Sequence, residues 1–394
     1  MKLWGSGLST DDQVERFTAD EDRLLDQRLV RFDAQASIAH AHMLQSIGVL
    51  ERQETEALVA GLEQILSLDE QGQFPLHEGD EDCHSAIERH LTETVGEAGK
   101  KLHLGRSRND QVLVAMRLYE REALASIDAG LEAFDAVLAG RVERDGGTAM
   151  PGYTHMQRAM PSSIGMWLGS YRAAVVDDRT LLRAVVEVLD QNPLGTAAGF
   201  GVPVFELDRE MTTKELGFHR VLDNPMYAQL SRGKLESSIL HVISQVLLVL
   251  NRLASDLLLF STAEFAFVRL PIALCTGSSI MPQKKNADVL ELVRARYHEV
   301  LGAEMQVKSL VSNLMSGYHR DLQLTKGPVL RSLDTAGACV AIMTRVVDEL
   351  AIDHARCEAA VTPEVRATED AYRLVADGMP FRDAYREIAK RFAK

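Results

Sequence analysis

The chain has 394 residues, 46% of them hydrophobic and 25% charged, which is ordinary for a soluble globular protein able to bury a large core in two or three structural units. Its formal charge of -14 argues against nucleic acid or an anionic membrane as the main partner, so an anionic substrate has to be met by a local cluster of basic residues. No run of about 18 uninterrupted apolar residues occurs, the N-terminus lacks a signal-type apolar core, and Cys83, Cys275, Cys339 and Cys357 show no metal or disulfide spacing; the expectation is a cytoplasmic chain with reduced, non-metallic cysteines.

Residues 1–20 carry few apolar side chains and read as an extended arm. From 22 to 47 Leu25, Leu29, Phe32, Ala36, Ala39 and Met43 recur at three- and four-residue steps, the period of an amphipathic helix, and a second such helix spans 51–66. The segment 77–84 is too charged for a core and leads into an apolar-periodic run at 87–91; its acids, Asp82 among them, suit a helix N-terminal turn. The island 100–111 concentrates cations in an acidic protein and runs into a helix over 112–144, a ready anion site, with a solvated basic loop as the plain alternative.

The stretch 146–161 has no regular period and reads as a loop, in which Tyr153, Thr154, His155 and Gln157 set four hydrogen-bonding side chains between two prolines. A helical pattern returns over 162–190. The glycine-rich run 195–201 follows no strand and has no acid in the dinucleotide pattern, so a tight turn or close packing is the better reading than nucleotide binding. The longest helical pattern runs over 232–265, apolar nearly all round in its middle; both of its faces need cover, which predicts copies of this helix packed together in an oligomeric bundle. Next comes the loop Cys275 to Asn286. It joins a Gly-Ser-Ser segment, a Pro turn, two ammonium groups and an amide, and there Lys284 and Asn286 can clamp a carboxylate, although any such loop is also a simple helix connection. A further central helix is expected after Asn286, with Glu291 about two turns beyond Lys284, and 316–326 forms a last polar cluster.

Three of these runs carry a resemblance. GSSIMPQKKN at 277–286 resembles the signature loop of the fumarase/aspartase superfamily, with Ala287 where a Pro usually follows. GRSRNDQV at 105–112 and YTHMQRAMP at 153–161 are similar to the argininosuccinate lyase branch of that superfamily, with Leu104 where some members have Ser. The likeness extends from Leu3-Trp4-Gly5 to the Met379-Pro380-Phe381-Arg382 tail, which looks like the start of a small C-terminal helical domain. It departs at Gly5-Ser6-Gly7-Leu8, where relatives often have Gly-Gly-Arg-Phe, and at Asp20, where they often have Ser.

The resemblance implies an all-α, elongated protein in which a central long-helix bundle forms a 20-helix core in a homotetramer, flanked by smaller helical domains. The divisions it implies are 1-105, 106-350 with the signature loop at 275-287, and a short 351-394 domain. It further implies reversible β-elimination of argininosuccinate to arginine and fumarate, without metal or organic cofactor, in sites shared between subunits. In that family Ser278 is the base, His155 the acid, directly or through Thr154 or a water, and Glu291 the partner of His155. Asp82 lies near the site, Arg108 and Asn109 bind a substrate carboxylate together with Lys284 and Asn286, and Tyr318, Gln323 and Lys326 contact the substrate. Adenylosuccinate or aspartate as substrate, and an inactive crystallin-like homologue, stay open as alternatives.

Overall fold

The computed structural model describes residues 12–77 and 79–392; Gly5-Ser6-Gly7-Leu8, Glu78 and the side chain of Asp20 lie outside what it describes. Among the described residues helices dominate, as expected. The helices α1 (Asp12–Asp26), α2 (Val30–Ser46), α3 (Arg52–Glu70), α4 (Cys83–Val95), α5 (Glu97–Lys101) and α6 (Arg108–Asp145) precede strands β1 (Ala149–Thr154) and β2 (Gln157–Ser163). Then come α7 (Ile164–Leu189), β3 (Gln191–Asn192), α8 (Arg209–Glu215), β4 (Arg220–Val221), α9 (Pro225–Leu230) and α10 (Lys234–Phe260). The last elements are β5 (Val268–Arg269), α11 (Asp288–Val311), α12 (Lys326–Glu349), β6 (Ala351–Ile352), α13 (His354–Ala359), α14 (Ala367–Ala376) and α15 (Phe381–Phe392). The strands form two-stranded ribbons only: β1 with β2 and β5 with β6 antiparallel, β3 with β4 parallel.

Two compact units are interleaved along the chain. The first comprises the chain up to Ser126, Leu181–Ile243 and Val300–Asp334; the second comprises Ile127–Thr180, Ser244–Glu299 and the chain from Thr335 on. In the first unit Ala36, Val114, Leu194 and Phe218 make one buried cluster and Leu113, Leu222 and Ala228 another. Arg117 is almost wholly buried there, and its guanidinium donates to the Gln191 carbonyl (2.6 Å) and the Ser231 hydroxyl (3.1 Å). A charge in that position is tolerable only because these acceptors replace water. In the second unit Trp167 packs edge-on to Phe260 with ring centres 5.3 Å apart, and Trp167 and Tyr171 both donate to Asp256. Ala371, Ala384 and Ile388 join α14 to α15.

Four expectations are corrected. The arm expected over 1–20 is helical from Asp12; its apolar residues Val14 and Phe17 are exposed, so no buried stripe marked the helix in the sequence. The loop expected over 146–161 is the β1–β2 hairpin, whose strands hold two prolines paired to one another, Pro151 and Pro161, and so lack the alternation of a typical strand. The helix expected over 232–265 is α10, 27 residues long. It ends where the Thr262 hydroxyl takes over the Leu259 carbonyl (2.8 Å) and Ala266 adopts φ 51°. Glu291 lies in the first turn of α11, not two turns in, because the loop stays non-helical up to Ala287.

Helix α10 is long and apolar enough to cross a membrane by composition, but Ile239, Leu240, Ile243, Leu247, Leu250 and Leu257 are all buried within the chain. Its start is fixed by Gly233 at φ 77°, whose missing side chain leaves room for Val311. A methyl there would fall inside the side chain of Val311 and force a left-handed backbone on an L residue. Gly233→Ala is therefore expected to destabilise the protein by about 2–4 kcal/mol, measured as a lowered urea midpoint. A midpoint equal to that of the parent would contradict this packing.

Candidate active site

Six of the residues singled out from the sequence line one pocket in the first unit: Asp82, Arg108, Asn109, Tyr318, Gln323 and Lys326. Their convergence follows from helix starts. Ser107 and Asp110 cap α6 reciprocally: the Asn109 N–H donates to the Ser107 hydroxyl (3.3 Å) and the Ser107 N–H to the Asp110 carboxylate (2.8 Å). This starts the helix at Arg108 and aims the guanidinium inward. Asp82 caps α4, accepting from the Ser85 N–H (2.8 Å) and hydroxyl (2.6 Å). Its other oxygen lies 2.8 Å from Arg108 Nε, so the capping role and the pocket role belong to the same side chain. Burial pushes the Asp82 carboxyl up, but His84 and Arg108 outweigh it and hold the group below its ordinary range.

Asp110 has a second task. Its free oxygen accepts from the N–H groups of Gly195 and Ala197, each at 2.9 Å. The glycine-rich run is thus a tight turn wrapped on a buried carboxylate, with Gly195, Gly199 and Gly201 all at positive φ. The turn reading holds.

Lys326 is buried and pairs with Asp22 (2.7 Å) and with Asp26. Burial alone would lower its pKa, but the two carboxylates raise it overall, so it stays an ammonium. The other Asp26 oxygen accepts from the Cys83 N–H (3.2 Å), which ties α1 to the start of α4. Tyr318 lies under the Arg232 guanidinium, 5.4 Å from its centre, and the Gln323 amide donates to the Thr18 carbonyl (2.9 Å). Asp26, Cys83 and His84 bring ligand-type atoms within 4.8 Å of one another. Asp26 is engaged as described, His84 lies 3.1 Å from the buried Asp33, and burial holds Cys83 as a thiol. The set reads as a charge-balanced core.

The other named residues belong to the second unit. Thr154 pairs with Gln157 as the last rung of the hairpin, and the two residues between them, His155 and Met156, have φ of 51° and 61°. That is the conformation of a tight two-residue hairpin turn, adopted here without glycine and therefore under strain. His155 stands exposed at the tip, while below it the Tyr153 ring packs on Phe260 and Phe265 with centres 6.3 and 5.8 Å apart. The signature loop is pinched at its neck, where Thr276 and Asn286 exchange backbone hydrogen bonds of 2.9 and 2.8 Å, reinforced by a Thr276 hydroxyl bond to Asp288. Within it the Ser278 oxygen accepts from the N–H groups of Ile280 (3.4 Å) and Met281 (3.2 Å). Donors aimed at that oxygen favour its alkoxide form. Asn286 turns its amide onto the Gly277 carbonyl (3.3 Å), while Lys284 and Glu291 are exposed.

Sequence reasoning missed Asp22, Asp26, Glu81, Arg232 and Arg320. All but Asp26 line the pocket, and Asp26 anchors its lysine. One signal was present: Asp22 and Asp26 stand four apart on one face of α1. Their cation is 300 residues away, where no local pattern reaches.

Residues 8–302 match the family model described as Lyase. The chain is 47% identical over 393 residues to argininosuccinate lyase of Thermotoga neapolitana, covering 100% of this chain and 98% of that one. It is 50% identical over 393 residues to argininosuccinate lyase of Sorangium cellulosum, covering 100% and 91%. A crystal structure of EDDS lyase in complex with formate superposes with a TM-score of 0.82 at 26% identity, covering 98% of this chain and 76% of that one.

Two measurements test the charge balance. Lys326→Met leaves Asp22 and Asp26 without their cation and is expected to cost about 3–5 kcal/mol of unfolding free energy, a deficit that narrows on acidification as the orphaned carboxyls take up protons. The second concerns His84, whose pKa burial would lower, but which Asp33, with help from Asp82 and Asp26, raises above its ordinary value. Its pairing contributes fully below about pH 6.5 and is lost as pH rises through the elevated folded value. The stability gap between the parent and Asp33→Asn should therefore be widest in mild acid and shrink in alkali. A gap independent of pH would show that the pair is not charged.

Proposed function

From a chain that belongs to the argininosuccinate lyase family, we infer that it is a carbon–nitrogen lyase splitting argininosuccinate reversibly into arginine and fumarate. The observation that carries this is the convergence of Arg108, Asn109, Tyr318, Gln323 and Lys326 on one pocket, in a chain alike over its full length to lyases of that name.

The chemistry requires removal of a proton from a carbon beside a carboxylate, followed by departure of the guanidino nitrogen. The carbanion becomes accessible only if its charge spreads into the carboxylate, as a dianionic aci-carboxylate held by cations and N–H donors. Ser278 is the base in this reading, its alkoxide favoured by the two backbone donors of its own loop. Lys284 supplies positive charge to the aci-carboxylate, and Asn286 joins it once its amide leaves the Gly277 carbonyl. Arg108 and Asn109 bind a carboxylate end of the substrate. His155, directly, through Thr154 or through a water, protonates the leaving nitrogen, with Glu291 setting its orientation. Tyr318, Gln323 and Lys326 contact the substrate, Lys326 from its pairing with Asp22 and Asp26. No metal or organic cofactor enters these steps.

The exposure of Thr154, His155, Lys284 and Glu291 suits a site completed by other copies of the chain. The proposed assembly is a cytoplasmic homotetramer with a shared 20-helix core, its chains divided into 1-105, 106-350 and 351-394 parts. The decisive assay is fumarate release, followed by ultraviolet absorbance, from argininosuccinate, adenylosuccinate and aspartate in parallel. Release from argininosuccinate alone is expected; release only from another substrate reassigns the leaving group, and silence on all three from a folded oligomer makes the chain a structural homologue. Ser278→Ala and His155→Asn are each expected to lower turnover at least about a hundredfold with the oligomer intact, and near-normal rates in both overturn these assignments.

A further inference from the structure

In the pocket of the first unit, the place where a substrate carboxylate would meet Arg108 is already filled by an acid of the chain. Arg108 spends its whole fork on protein groups: Nη1 on Glu81 (2.7 Å), Nε on Asp82 (2.8 Å) and Nη2 on the Ser85 hydroxyl (2.9 Å). Two of these three partners cannot leave without unwinding a helix start, because Asp82 and Ser85 together form the cap of α4. Glu81 is different. It stands one residue before the cap, and its other oxygen lies 3.3 Å from Arg320 Nη1. A χ rotation of Glu81 would release Arg108 Nη1 and Arg320 Nη1 while the cap stays intact and Arg320 Nη2 stays on the Thr18 carbonyl (3.0 Å). Both arginines line the same pocket as Asn109 and Tyr318.

We propose that Glu81 is an internal stand-in for a substrate carboxylate, bridging Arg108 and Arg320 in the empty site and swinging off them when a dicarboxylate binds. Arg320 is then a second cation of this carboxylate subsite. The inference rests on the reading that Arg108 receives a substrate carboxylate. Its physical content is an exchange: the ligand replaces one carboxylate by another on a bidentate fork, and the apparent affinity falls by the fraction of time that the fork is open. In return the guanidinium of Arg108 is kept oriented and in register by Glu81 until a ligand takes its place.

Succinate, a dicarboxylate with no leaving group, is the probe, titrated calorimetrically into the full chain and into Glu81→Gln and Glu81→Asp. Glutamine keeps the size and loses the charge; aspartate keeps the charge and loses the reach to Arg108. Removal of a resident competitor predicts about three- to tenfold tighter binding in both variants, with the KM for argininosuccinate falling in the same direction. If only Glu81→Gln tightens, Glu81 acts through charge at a distance and the proposal fails. Weaker binding in both variants would make Glu81 part of the subsite framework, which also overturns it, as would an absence of succinate binding throughout. Turnover of argininosuccinate by the parent, run alongside, separates this test from that of the function: the titration reads the subsite whether or not the parent releases fumarate.

Discussion

The pocket of the first unit depends on one buried ammonium. Lys326 sits between Asp22 and Asp26, and holding these groups out of water is tolerable only because the one ammonium bonds to both carboxylates and offsets their mutual repulsion. From that centre the order of the site propagates by directed bonds. Asp26 holds the Cys83 N–H, Cys83 opens α4, the cap of α4 is Asp82, and Asp82 grips Arg108 at the start of α6. Asp110, two residues on, fastens the same helix start to the glycine turn at 195 and 197. The Arg108 side chain that lines the pocket is therefore positioned by the ends of helices rather than by their packed faces, and those ends are where unsatisfied N–H groups give an acid its hold.

The second unit solves a different problem. Its reactive candidates are not enclosed; they are presented. A hairpin with a strained two-residue tip lifts His155 clear of the surface, and an aromatic cluster of Tyr153, Phe260 and Phe265 braces its base. The signature loop is rigid at the neck, where Thr276 pairs with Asn286, and open at its crown, where Ile280 and Lys284 face solvent. Such a loop can change shape at the crown while its ends stay fixed, the mechanical requirement for closing over a substrate. Two backbone N–H groups of the loop, those of Ile280 and Met281, already point at the Ser278 oxygen.

The long helices were legible in the sequence because their period is set by burial: Phe134, Leu138, Leu182 and Leu247 had to recur on a face. Three motif runs were legible because each sets unusual polar and small residues close together. What escaped had physical causes. The first part of helix α1, before residue 22, exposes Val14 and Phe17 rather than burying an apolar stripe, so periodicity found only its end. The hairpin hid behind prolines and a register irregularity between Gly152 and Tyr153. Glu81, Arg232 and Arg320 act through partners distant in sequence, and a charged residue next to other charged residues gives no local sign of whom it faces. Asp82 was readable both as a cap and as a pocket residue, and it is both.

The Lys326 centre also has a history within each molecule's lifetime. The aspartates of α1 are made long before their cation, which lies 300 residues downstream of Asp26. At bacterial-scale synthesis rates of about 5–20 residues per second, they wait roughly 15–60 s for it. Until Lys326 has emerged, Asp22 and Asp26 lack the ammonium that bonds to both of them. Closure of the pocket is thus a late, long-range event in folding. The feature that makes the finished site rigid leaves the growing chain dependent on being kept from collapsing in the meantime.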